Sequence, residues 1–86
     1  MLSMKECLDY CDLNDDEVCL VAHHEHLSYE MAAQLACCMV QNEAGACALR
    51  SMLREEIEAA AMTGRNEALQ KAELALRHFN SAHPPG

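Results

Sequence analysis

Apolar residues recur along this chain at three- and four-residue intervals, and no strand-like alternation of any length interrupts them. Met4, Cys7, Leu8 and Cys11 have the i, i+3, i+4, i+7 spacing of one helix face, and Ser3 with Glu6 reads as its capping box. The first helix therefore runs to about Cys11. Asn14 with Glu17 repeats the capping logic, and Asp15 and Asp16 suit the positive end of a helix dipole. This second helix passes through Val18 and Val21 to about His26.

Ser28 can cap a third helix, Tyr29 to Asn42. Its polar members Glu30, Gln34 and Gln41 share one narrow stripe with Cys37, which leaves nearly everything else apolar, Cys38 on the shoulder included. That pattern predicts a central helix packed on most sides. A fourth helix, about Ala44 to Met62, buries Ala46, Leu49, Leu53, Ile57 and Ala60, and Thr63-Gly64 stops it. Asn66 caps a fifth helix with the stripe Leu69, Ala72, Leu76 and Phe79, which His83 continues. His78 falls opposite, with Leu74, and the prolines of "SAHPPG" end the helix. The expected architecture is all-α: one compact domain over residues 1–86, an array or bundle of four to five short helices, with a flexible tail from about 82 to 86.

Composition narrows what such a domain can do. A chain of 86 residues has room for one core and little room for a deep cleft. Its apolar fraction is 51%, yet much of that is alanine, so the core is thin and self-association through the apolar surplus is expected. The net charge is −8, and residues 1–43 carry all of it, while residues 44–86 balance. An acidic half repels phosphate backbones, so no nucleic-acid partner is expected; a basic protein or a cation suits it better. The charge can equally serve solubility alone.

Behind Lys5 there is no apolar run resembling a secretory leader. The longest charge-free stretch, Met31 to Asn42, is far too short to span a bilayer. A cytosolic protein is the expectation, and six cysteines in that reducing setting are thiols.

Candidate chemistry centres on "CLVAHHEHLSYE", residues 19–30. Projected on one helix, Cys19, His23, His26 and Glu30 fall on one stripe, and sulfur, imidazole and carboxylate together could bind a transition metal: zinc, iron or copper. His24 lies between them, and His83 could join from the fifth helix if the two helices pack side by side. Against this, Ser28 should break the helix before Glu30, and donors more than one turn apart on a straight helix rarely reach one ion. C-x-x-C, H-E-x-x-H and E-x-x-H are also absent. The plainer explanation is a helix C-terminus, where histidines satisfy loose carbonyls and complement the dipole. A pH-sensing role is a third.

The cysteines pose the same choice. Cys7 and Cys11 face one way from the first helix and could bind a soft metal or oxidise with a third thiol. Cys37 and Cys47 sit on polar faces, the latter with Arg54 to favour the thiolate. All four are candidate redox thiols, and all can equally be small hydrophobes. No nucleophile–base set or glycine-rich anion loop is present, so a non-enzymatic accessory or protein-interaction module is expected.

The runs "HEHLSYEMAAQLA", "LREEIEAAAMTGRNEAL" and "LRHFNSAHP" resemble a group of small helical proteobacterial proteins. In that group an H-E-H precedes a central helix, and a leucine-arginine-histidine-phenylalanine ending closes with His-Pro. The resemblance covers about Asp12 to Pro84, with His24, Glu25, His26, His78 and His83 at the matching positions. It implies a whole-chain helical domain and no particular activity.

Overall fold

The computed structural model of the chain describes residues 4–84. Five helices follow one another: α1 Met4–Tyr10, α2 Asp15–Glu25, α3 Tyr29–Met39, α4 Glu43–Met62 and α5 Asn66–Ala82. No strand occurs among the described residues. The all-α expectation holds.

The starts of three helices follow from single side chains. The Asn14 carboxamide accepts from the Glu17 amide at 2.9 Å, and the Glu17 carboxylate accepts from the Asn14 amide at 2.8 Å, a complete capping box. Ser28 accepts from Met31 N–H at 3.2 Å, and Asn42 from Gly45 N–H at 2.8 Å. This last bond explains why α3 ends at Met39 and not at Asn42: Asn42 begins α4. The expected cap at Asn66 is corrected too, since Asn66 lies inside α5 and Arg65 precedes it without a side-chain cap bond. The capping box expected at Ser3 falls outside the described residues.

Three helices stop the same way. Asp12, His26 and Gly64 take positive φ of 56°, 56° and 70°. The next residue then donates its N–H five residues back: Leu13 to Leu8, Leu27 to Ala22, and Arg65 to Ala60. Only one of the three turns uses glycine, the residue that adopts this conformation without cost.

α2 packs against α3, α4 and α5, and α4 lies along α5; α1 touches α3 alone among the helices. The largest fully buried side chains are Phe79, Leu49, Leu53, Glu17, Val18 and Val21, all from α2, α4 and α5. The central position expected of α3 is therefore corrected: it buries only Ala32, Ala33 and Ala36, while Met31 is 58% exposed. Six of the thirteen buried apolar residues among those described are alanine. The result is a slab of 41 × 29 × 17 Å, about two helices thick.

Candidate functional site: a histidine–glutamate clasp and a thiol cluster

The last turn of α2 projects His23 and His24 toward α4. His23 Nδ1 lies 2.7 Å from Glu56 Oε1, and His24 Nε2 lies 3.0 Å from Glu55 Oε2. His24 Nδ1 lies 2.7 Å from Glu25 Oε2. Both ring nitrogens of His24 thus face carboxylates. Ionised carboxylates only accept, so both nitrogens donate and the ring is an imidazolium in this arrangement. Burial works against that charge, but the hydrogen bonds to Glu25 and Glu55 outweigh it and hold the His24 pKa above its ordinary 6.5.

The other donors of the stripe are dispersed. His26, exposed, closes α2 in the left-handed conformation, and the turn it makes sets Glu30 on α3. Cys19 is exposed and donates its S–H to Asp15 at 3.8 Å; burial first, then Asp15, raises its thiol pKa above 9.0. His83 stacks on Phe79 with ring centres 4.7 Å apart, and its Nε2 donates to the Cys11 carbonyl at 2.9 Å. Among the described residues no three His, Cys, Asp or Glu side chains are grouped to hold a metal ion. Where carboxylates do meet His24, they sit on opposite edges of the ring and cannot share one ion with it. The structure does not bring His23, His24, His26, Glu30, Cys19 and His83 together.

It does bring thiols together. Cys7 of α1 and Cys11, just past its end, lie over Cys37 of α3. The Cys37 S–H has the Cys7 carbonyl in reach at 3.9 Å, and burial followed by the neighbouring Cys11 pushes its pKa up to about 12. Gln41 braces the cluster, its Nε2 contacting Cys11 Sγ at 3.9 Å and the Cys37 carbonyl at 3.0 Å. The expected roles of the neighbouring cysteines are reversed: Cys37 is half-buried and Cys38 exposed, because α1 covers the side of α3 that carries Cys37. Cys47 is exposed on α4 and takes no part in this contact.

Two buried charged groups escape the sequence pattern. Glu17, fully buried, caps α2 with one oxygen and accepts from His78 Nδ1 at 2.9 Å with the other. His78 stays exposed on the face expected for it and reaches Glu17 through this one nitrogen. Arg50, 7% exposed, donates through Nε to Asn80 at 2.7 Å and through Nη2 to the His83 carbonyl at 2.8 Å. Its guanidinium lies 5.5 Å from the Phe79 ring centre, a cation–π distance. The capping motif was the one visible sign of Glu17; nothing in the periodicity marks Arg50.

Beside the clasp, α2, α4 and α5 leave a cavity of about 220 Å³. Leu20, Ala59, Ala60, Ala68 and Ala72 wall it, and His23, Glu56 and Arg65 stand at its polar side. Met62, one turn beyond Ala59, is 88% exposed. The described helices include none long and apolar enough to cross a membrane. Compared with protein families, curated proteins and solved structures, the chain matches none.

Proposed function

We propose that this chain is a non-enzymatic helical interaction module whose partner at the α2–α4–α5 face is a second copy of itself. The observation that carries the reading is an open pocket walled by small apolar side chains together with a large apolar side chain, Met62, left 88% exposed one turn beyond the wall residue Ala59. A two-fold axis passing between them sets Met62 of each copy into the alanine pocket of the other, and such a contact closes on itself. Charge agrees with this arrangement. Exposed Glu58 and Arg65 flank Met62 along the chain, so a contact centred on Met62 offers each copy one acidic and one basic group. The thin alanine core supports it as well, because burial withheld inside the subunit can be recovered between subunits.

Sedimentation velocity of the reduced protein over a hundredfold concentration range tests the reading. The expected result is a dimer that dissociates on dilution, with a melting temperature that falls in parallel. Met62→Glu should be monomeric with unchanged helical circular dichroism. A wild-type protein that stays monomeric at the highest concentration overturns the reading, and so does a Met62→Glu variant that still dimerises.

A further inference from the structure

The thiol cluster lies at the only helix–helix contact that α1 makes. Segments separated by α2 and two turns thus bring cysteines to one face, Cys7 and Cys11 from the first and Cys37 from the third helix. We propose that the α1–α3 contact carries an oxidation-sensitive latch, in which Cys11, just past the end of α1, and Cys37 of α3, both contacted by Gln41, couple into a disulfide that fastens α1 to α3.

The oxidant class is a peroxide. The Cys11 thiolate attacks one peroxide oxygen, the O–O bond breaks, and a sulfenic acid and hydroxide form. Cys37 sulfur then attacks the Cys11 sulfur, the S–O bond breaks, and the second oxygen leaves as water. Two thiols lose two protons and two electrons, and hydrogen peroxide takes them up to become two waters. The order follows from the surroundings. Cys37 is held protonated by burial and by Cys11, so it does not begin the reaction. Once Cys11 is a sulfenic acid its negative charge is gone, and one obstacle to ionising Cys37 goes with it. Gln41, in contact with the Cys11 sulfur, is placed to donate to the sulfenic oxygen. Cys7 meets Cys37 through its carbonyl, while Gln41, bonded to the Cys37 carbonyl, contacts the Cys11 sulfur.

Peptide mapping after hydrogen peroxide treatment and alkylation tests this, on the wild type and on a Cys19→Ser, Cys38→Ser, Cys47→Ser variant that lacks the exposed thiols. The expected product in both is an intramolecular Cys11–Cys37 linkage, a loss of two hydrogens per chain, and amide exchange in α1 slowed about tenfold. Cys11→Ser and Cys37→Ser should each abolish all three. A dominant Cys7–Cys37 linkage, over-oxidised but unlinked cysteines, or disulfides formed only between chains would overturn the proposal.

Discussion

His26 illustrates how a residue that looks chemical can be conformational. Its φ of 56° lies where a β-carbon is crowded, and its work is to let Leu27 turn back onto Ala22. His26→Gly should therefore stabilise the protein by about 0.5–1 kcal/mol in urea unfolding. A loss of stability would mean that the imidazole has a partner of its own. Gly45 is the opposite case. A Cβ there would collide with the Met39 carbonyl, which belongs to the backbone and cannot swing aside. Gly45→Ala should cost about 2 kcal/mol or more, measured in the same way. Neither outcome could be argued from composition, because each depends on where the chain goes next.

At the scale of the element, α2 is held by charges at both ends. At its start Glu17 joins a cap to His78, so Glu17→Ala should cost about 2–3 kcal/mol, with the Asn14 amide and the His78 ring left unpaired. Glu17→Gln keeps one acceptor and should cost less. At its end His24 bridges Glu25 and Glu55. Because the folded-state pKa of His24 is raised, its stabilising contribution is complete below the unfolded value near 6.5 and fades as pH rises through the folded value. The pair is partly exposed and screened, so the stability gap between wild type and Glu55→Gln should be below about 1 kcal/mol at pH 6. The gap should close by about pH 9, a trend that urea titrations at several pH values would read. Helix starts at Asn14 and Ser28 were legible in the sequence, since a cap needs only residues three apart. The inner and outer faces of α3 were not. Periodicity shows which residues share a side, but which side α1 covers is decided by packing, and so Cys37 and Cys38 exchanged their expected places.

For the whole molecule, the five-helix order was legible and the polar interior was not. Glu17 meets His78 across 61 residues, and Arg50 meets Asn80 across 30; local spacing carries no sign of such pairs. The candidate metal set failed to gather for a related reason: one helical projection treats as continuous a segment that the turn at His26 divides. The thiol cluster was half legible, in the pairing of Cys7 with Cys11, while its third member comes from a helix two elements away. The hydrogen bond from His83 to the Cys11 carbonyl spans 72 residues, more than any other side-chain bond described. Protein synthesis runs from the N-terminus, so the loop after α1 emerges long before the residue that secures it. During translation the Cys11 carbonyl must wait for this partner until α5 leaves the ribosome. The thiols of the latch would then be most open to solvent in the nascent chain, before their protein is complete.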